Sequence, residues 1–200
     1  YRVDKVGAAK DDTFRNILPR GYADDIIGSS PHIEAASISC PFIGETVFYA
    51  YMGEGVEPLP FRVKQDIVYP ALFDVFGVEM VEGSAQALED LSAVAIPESL
   101  ARRLYGDESA LGKVLLNDRI FGLNDETKNT QMTVGAVYRD FPANSQMDNC
   151  VYRNVGTAQQ GQYGGANFAC WLLLDSPQSK SVVEDNFNAN FNYQENSEWL

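Results

Sequence analysis

The chain has 200 residues, 45% of them hydrophobic and 12% aromatic, so it can bury a core as one domain or as two small subdomains. Its formal net charge of -13 argues against nucleic-acid binding and against docking on an anionic lipid surface. Three cysteines without CxxC spacing and a single histidine do not form the ligand pattern of a zinc site, and they leave the disulfide state open.

Neither a membrane span nor a signal peptide is expected. The longest apolar runs, such as 170–174, are far shorter than the roughly 20 residues that cross a bilayer. The chain begins at Tyr1 inside a strand pattern and stops at Leu200. We therefore expect a piece of a longer protein.

The first part of the chain predicts a β-α-β unit. Residues 2–8 and 33–40 have strand patterns, and the segment between them has apolar residues at helical spacing. Pro19 suits the first turn of that helix and Gly28 suits its C-terminal stop. The residues that define the helical face are Leu18, Tyr22 and Ile26.

Further strands and a compact helix follow. The predicted strands are 46–52, 61–68, 77–81, 92–96, 114–123, 132–138 and 168–174. A short apolar turn is expected at 70–76, and turns are expected at 139–149. The segment 97–105 predicts a helix with Pro97 as its first residue and Gly106 as its stop. Residues 153–167 are rich in Gly, Gln and Asn and predict a mobile loop. A last helix, after Ser176 and Pro177, places Val183, Phe187 and Phe191 on one face.

No catalytic or nucleotide-binding motif is complete. The segment 106–113 resembles a phosphate loop, but it has one residue too many between its glycines and Val114 in place of the Ser/Thr that binds magnesium. Ser109 and Lys113 lack the spacing of a Ser-x-x-Lys acyl enzyme. A Ser-His-Asp triad would have to use His32, which sits in a turn.

Acidic and aromatic residues leave two further options open. Paired acids are plentiful, but nothing selects a glycosidase pair, and the loop 124–126 lacks the spacing of a calcium site. Aromatic residues are frequent in the early strands, where alternation sends some to a core and others outward to a possible interaction surface. These residues are Phe42, Phe48, Tyr49, Tyr51 and Phe61.

Two segments together resemble the MacB-like periplasmic core domain of MacB/FtsX-family ABC transporter permeases. The first is 94–113, VAIPESLARRLYGDESALGK, and the second is 133–145, TVGAVYRDFPANS. The chain departs from the family pattern at Pro97, where Ser is common, at Tyr105, where Phe is common, and at 110–111, where Pro-Ile is common. The motif positions that we assign to scaffolding are Pro97, Glu98, Ala101, Leu104, Gly106, Gly112, Lys113, Gly135, Val137, Asp140, Pro142, Asn144 and Ser145.

The resemblance implies an α+β fold: a porter-like β-α-β subdomain, 1–88 with 166–200, and an inserted smaller mixed α/β subdomain, 89–165. It also implies a non-catalytic module with no cofactor and no metal, on the periplasmic face of the bacterial inner membrane. Such a module binds a substrate or partner protein and transmits ATP-driven motion, as in efflux. The implied partners are the transmembrane helices of the same permease, a cytoplasmic ATPase, and a periplasmic adaptor or a second protomer in a dimer.

Two other functions stay open from the residues alone. One is a stand-alone extracytoplasmic ligand-sensing domain. The other is a secreted hydrolase that uses acids or His32.

Overall fold

A computed structural model describes residues 1–4, 16–117, 130–165 and 167–191. Two compact units are present: a discontinuous unit, Tyr1–Pro41 with Gln159–Leu200, and an inserted unit, Phe42–Ala158. Among the described residues, no helix combines the length and the apolar character needed to cross a membrane.

Helices and strands are mixed along the described chain, which confirms the predicted α+β class. The described helices are α1 (Arg20–Gly28), α2 (Leu72–Phe76), α3 (Glu98–Tyr105) and α4 (Lys180–Asn190), with 3-10 turns at Ala85–Glu89 and Pro177–Ser179. The described strands are β1 (Ile33–Ser39), β2 (Glu45–Ala50), β3 (Leu59–Val68), β4 (Met80–Gly83), β5 (Ala93–Pro97), β6 (Val114–Asn117), β7 (Thr130–Tyr138), β8 (Val151–Asn154) and β9 (Ala169–Leu174).

In the discontinuous unit, β9 lies between the start of the chain and β1. It pairs antiparallel with β1 on one side. On its other side Arg2 forms a bridge with Trp171, and Val3 N donates to Cys170 O at 2.9 Å. The start of the chain and β1 therefore run parallel with β9 between them, which makes a split form of the predicted β-α-β unit. Residues 5–8 of the predicted first strand lie outside the described residues.

Helix α1 forms where its pattern predicts. Pro19 precedes it and Gly28 is its last residue, while Tyr22 and Ile26 are buried. Gly21 is needed for packing, because a Cβ there would lie 2.9 Å from the ring of Tyr163 and from the carbonyl oxygen of Gln162. Within the segment that was predicted to be a mobile loop, residues 162–163 thus pack on α1, whereas 153–154 form the end of β8.

Helix α4 also carries the predicted apolar face. Val183 is buried, and the rings of Phe187 and Phe191 stack at 5.1 Å. Phe191 lies 5.0 Å from the ring of Tyr22, so aromatic contacts hold the end of α4 on α1.

In the inserted unit, seven strands form one sheet in the order β4-β7-β5-β8-β3-β2-β6. Strand β6 also pairs with the first half of β7, between Val114–Asn117 and residues 130–133, and this pairing closes the sheet into a ring. The pairs β5–β7 and β3–β8 are parallel, whereas the other pairs are antiparallel. Closure removes open edges from most of these strands.

The inserted unit begins earlier than the expected boundary at 88/89 and ends before 165/166. Strands β2, β3 and β4 hydrogen bond with the later strands in the same sheet, so contacts divide the chain at 41/42 and 158/159. Strand β8 was missed by the sequence prediction, which began its loop at 153.

One face of this sheet, together with α3, forms an apolar core. Leu100, Ala101 and Leu104 of α3 pack against it. The buried members of the core are Phe48, Ala50, Val94, Ile96, Leu100, Ala101, Leu104, Tyr105, Ala110, Leu115, Met132, Val134, Val137 and Val151.

Candidate functional site

The two family-like segments meet at the start of α3. Strands β5 and β7 are parallel neighbours with Pro97 opposite Tyr138, so their carboxyl ends lie at the same edge of the sheet. Asp140 follows β7 there, and its Oδ1 accepts a hydrogen bond from the backbone N–H of Ser99 at 3.0 Å. A carboxylate at this position satisfies one of the free N–H groups of the first turn and favours the helix dipole.

Pro97 does not begin α3 as predicted. It is the last residue of β5 and occupies the N-cap position with extended backbone, φ -71° and ψ 150°, and α3 begins at Glu98. The side chain of proline makes no capping hydrogen bond. Asp140, which is distant in the sequence, provides the capping acceptor instead.

Glu98 joins the two segments a second time. Its carboxylate lies 2.6 Å from Arg102 and 3.3 Å from Arg139, and Arg139 also pairs with Glu79 at 2.9 Å. The hydrogen bond and charge of Glu79, and then the charge of Glu98, raise the pKa of Arg139. Because Arg102 and Arg139 are exposed, solvent screens these pairs, and each contributes little to stability.

The turn after α3 depends on two glycines. Gly106 ends the helix with φ 65° and ψ -123°, and its N–H donates to Arg102 O at 2.9 Å. Gly112 has φ 75°, and its N–H donates to Val134 O at 2.9 Å, which ties the turn to β7. Both values of φ are in the region that disfavours a side chain with Cβ.

Lys113, the residue that a phosphate loop would use, is engaged within its own turn. Its Nζ lies 3.0 Å from Glu108 and 5.5 Å from the centre of the Tyr105 ring. An acid paired with this lysine opposes phosphate binding, so the turn functions as a connection between α3 and β6.

Gly135 allows the 3-10 turn Ala85–Glu89 to lie on β7. A Cβ at Gly135 would lie 2.7 Å from Ala87 Cβ and 3.3 Å from Ala93 Cβ. Gly135 is also the extra residue of a bulge, since Val94 pairs with Val134 and the next pair on β5 skips to Ala136. The bulge keeps Val137 in the apolar core.

The loop after β7 is held by short-range hydrogen bonds. Ser145 N donates to Pro142 O at 2.8 Å, and Met147 N donates to Ser145 Oγ at 3.0 Å. Asn149 accepts from Phe141 N at 2.7 Å and donates to Phe141 O at 3.0 Å. Asn144 is exposed at the tip of this loop.

An aromatic cluster lies under this loop, and the sequence prediction missed it. Tyr138, Phe141 and Tyr152 pack together with Phe73 of α2 at ring separations of 5.3 to 6.2 Å. The hydroxyl of Tyr138 donates to Cys150 O and accepts from Cys150 N, each at 2.8 Å. Burial raises the pKa of Tyr138 and of Tyr152 far above the usual value, so both stay neutral and structural.

Among the described residues, the imidazole ring of His32 is hydrogen-bonded to an acid and to no serine hydroxyl. Its Nδ1 lies 2.7 Å from Asp175 Oδ2, and the other oxygen of Asp175 accepts from Ser179 Oγ at 2.6 Å. In a catalytic triad the histidine lies between the acid and the serine, whereas here the acid lies between the other two. This arrangement ties the start of β1 to the turn that follows β9.

The remaining candidates are dispersed. Cys40, Cys150 and Cys170 are buried and form no disulfide with one another. In the part of the chain that the structure describes, no group of three or more His, Cys, Asp or Glu side chains is placed to hold a metal ion. The loop 124–126 lies outside the described residues.

Apolar side chains are exposed at the tip of the β2–β3 hairpin. Tyr51, Met52, Val56 and Leu59 are 42–53% exposed. Alternation was expected to send some aromatic residues of the early strands to the core and others outward. Phe48 is buried and its ring lies 5.7 Å from that of Phe61, whereas Phe42 and Tyr51 are exposed. Exposed apolar residues in this number are typical of interaction surfaces.

Comparison with known proteins identifies the family that the two segments resemble. The sequence profile of the MacB-like periplasmic core domain matches residues 4–189. No curated protein sequence matches the chain.

Three crystal structures share the fold. A domain assigned to a permease protein from Porphyromonas gingivalis has a TM-score of 0.67 at 21% identity, over 90% of this chain and 73% of that one. The periplasmic region of MacB from Actinobacillus actinomycetemcomitans has a TM-score of 0.60 at 15% identity, over 98% and 83%. The extracellular domain of the noncanonic ABC-type transporter YknZ from Gram-positive bacteria has a TM-score of 0.57 at 12% identity, over 98% and 95%. Because the profile match covers nearly the whole chain and includes both segments that meet at α3, this chain belongs to the MacB-like periplasmic core domain family.

Proposed function

We propose that this chain is a non-catalytic module that binds a substrate or a partner protein and passes ATP-driven motion across the membrane. The chain is the periplasmic core domain of a MacB/FtsX-like ABC transporter permease. The proposal adds the mechanical role, an efflux-type transport process and a position at the inner membrane.

The observation that carries the proposal is the bracing of α3. Asp140 caps α3 from the end of β7, and Glu98 pairs with Arg139 beside it. Gly106 and Gly112 then fix the turn that leads to β6. The family-like residues thus hold a helix on a sheet and do not converge on a reacting centre, which suits a part that moves as a rigid body.

The discontinuous unit is proposed to receive motion from the membrane. The start of the chain pairs with β9, and α4 follows β9 after a short turn. Both ends of the described chain therefore belong to one unit. We place the transmembrane helices of the permease beyond these two ends, and we regard this unit as the porter-like subdomain.

The inserted unit is proposed to make outward contacts. The exposed apolar tip of the β2–β3 hairpin supports this role, because a protein partner would cover such side chains. A cytoplasmic ATPase and a second protomer complete the proposed assembly.

A labelling experiment on the intact permease tests the location. The native cysteines are buried, so Ala143→Cys in the exposed loop after β7 introduces a reactive thiol. We expect a membrane-impermeant maleimide to label this variant in intact cells with a permeabilised outer membrane, and to label it more strongly than the parent protein. Labelling of Ala143→Cys only after lysis of the cytoplasmic membrane would place the domain inside the cell and refute the proposal.

A further inference from the structure

Strand β8 carries an arginine into the interior of the inserted unit. It lies between β5 and β3, and Arg153 is only 6% exposed. Val151 belongs to the apolar core, while Tyr152 belongs to the aromatic cluster on the opposite face. Because side chains alternate along a strand, Arg153 lies on the same face as Val151.

Nothing in the described chain neutralises this guanidinium. Its Nε and Nη1 atoms are buried without a hydrogen-bond partner, and no ion pair among the described residues includes Arg153. Burial lowers its pKa, with no acid among the described residues to offset the effect, yet an arginine side chain keeps its proton in proteins. A buried charge of this kind is stabilised when an anion pairs with it.

Gln65 lies on the neighbouring strand, and its side chain is on the same face of the sheet. In the parallel β3–β8 pair, Gln65 lies opposite Val151 and Ile67 lies opposite Arg153. Gln65 is therefore a diagonal neighbour of Arg153. It is also 6% exposed, and its Oε1 has no hydrogen-bond partner. Diagonal neighbours on paired strands are close enough for two long side chains to bind one small molecule.

We propose that Arg153 and Gln65 form an interior binding site for a small carboxylate that carries a hydroxyl or amino group next to its carboxyl carbon. The guanidinium pairs with the carboxylate through charge-assisted hydrogen bonds. The amide oxygen of Gln65 accepts a hydrogen bond from the neighbouring hydroxyl or amino group. The slight exposure of both residues restricts the ligand to a small molecule. The site does not depend on the transport function proposed above.

The test compares glycolate with propionate, since the two anions have similar size and only glycolate has a hydroxyl group. Thermal unfolding of the 200-residue chain is measured in glycolate, propionate or chloride. All three solutions have a constant ionic strength of about 0.15 M, at which the Debye length is about 8 Å. This screening limits the repulsion between the added anion and the acidic protein surface. We expect glycolate to raise the Tm above its value in chloride by about 5 °C once its concentration exceeds Kd by about 100-fold, with a smaller rise in propionate.

Three variants assign the effect to the site. Arg153→Met should abolish the response to both carboxylates, and Gln65→Met should remove the preference for glycolate. Arg62→Met is the matched control, because Arg62 lies exposed on β3 and its loss removes the same charge from the surface. This control should respond to glycolate as the parent protein does.

The proposal is overturned if the parent Tm is the same in all three anions, since the charge of Arg153 is then compensated within the chain. It is also overturned if Arg153→Met keeps the full response. Should Arg153→Met fail to fold, saturation-transfer NMR on the parent and on Gln65→Met decides. Transfer to glycolate that Gln65→Met weakens supports the site, whereas equal transfer or no transfer overturns it.

Discussion

The contact between Asp140 and α3 gives the most direct stability prediction. The substitution Asp140→Ala removes the acceptor for Ser99 N–H, which lies at 3.0 Å, and a negative charge at the start of the helix. Loss of a capping acceptor costs about 1 kcal/mol, and loss of the favourable dipole interaction costs about 0.3–1 kcal/mol. We expect the free energy of unfolding to fall by about 1.5 kcal/mol, which lowers the Tm of a chain of this size by about 3–6 °C.

The assay is equilibrium unfolding in urea, followed by far-UV circular dichroism on the isolated chain. Asp140→Asn keeps an acceptor and loses only the charge, so it should cost about 0.5 kcal/mol. Glu57→Ala is the matched control, because Glu57 is an exposed acid in the β2–β3 loop of the same unit. It should unfold like the parent protein, within about 0.5 kcal/mol.

Two results would refute this reasoning. Asp140→Ala could unfold at the same urea concentration as the parent protein, which would mean that α3 needs no cap from β7. Alternatively, Glu57→Ala could lose as much stability as Asp140→Ala, which would assign the loss to net charge.

The remaining predictions concern packing, thiol reactivity and pH. Gly135→Ala should lower the free energy of unfolding in urea by about 1–3 kcal/mol, because the new Cβ would lie 2.7 Å from the Cβ of Ala87. Adding Ala87→Gly should restore part of this stability. An unchanged urea midpoint for Gly135→Ala would contradict the close packing. Burial raises the pKa of Cys170 to about 12, so an aromatic disulfide reagent at neutral pH should label it only after unfolding, and rapid labelling of the native chain would count against this. Hydrogen bonds from Ser179 and then His32 lower the pKa of Asp175, so its contribution to stability is present above its unfolded pKa of about 3.9 and is lost as pH falls through the lower folded value. The Tm difference between the parent protein and Asp175→Asn should therefore shrink as the pH falls below about 5, and a difference that grows over this acidic range would contradict the assignment.

Local signals in the sequence were sufficient for several elements. The bounds of α1 and α3 follow from apolar residues at helical spacing and from Gly28 and Gly106 at the ends. These signals act within a few residues, so they are visible without knowledge of the tertiary structure.

Strand β8 and the closure of the sheet were not predictable in the same way. β8 has four residues, and its buried Arg153 interrupts the apolar pattern that marks a central strand. The pairing of β6 with β7 depends on contacts across the whole inserted unit. The division into units was affected for the same reason, because β2–β4 join a sheet whose other strands come later in the chain.

Within the candidate site, the residue types were predictable but their partners were not. Asp140 and Glu98 both belong to the family-like segments, yet the sequence does not show that the first caps α3 and the second pairs with Arg139. The available signal was that β5 and β7 are both buried strands followed by polar residues. Parallel strands bring such ends to the same edge of the sheet, so this pattern indicates that the polar residues lie close together. The aromatic cluster could not be found this way, because α2 contributes Phe73 from a distant part of the chain.

The most direct test of the central claim measures motion in the intact permease with its ATPase. A spin label at Ala143→Cys reports the distance between the two copies of the domain in the dimer by pulsed electron paramagnetic resonance. A second pair of labels, at Asp107→Cys and Ala143→Cys within one inserted unit, serves as the rigid reference. We predict that ATP shifts the distance between copies and leaves the distance within the unit unchanged. Distances between copies that are identical with and without ATP would contradict a role in transmitting motion.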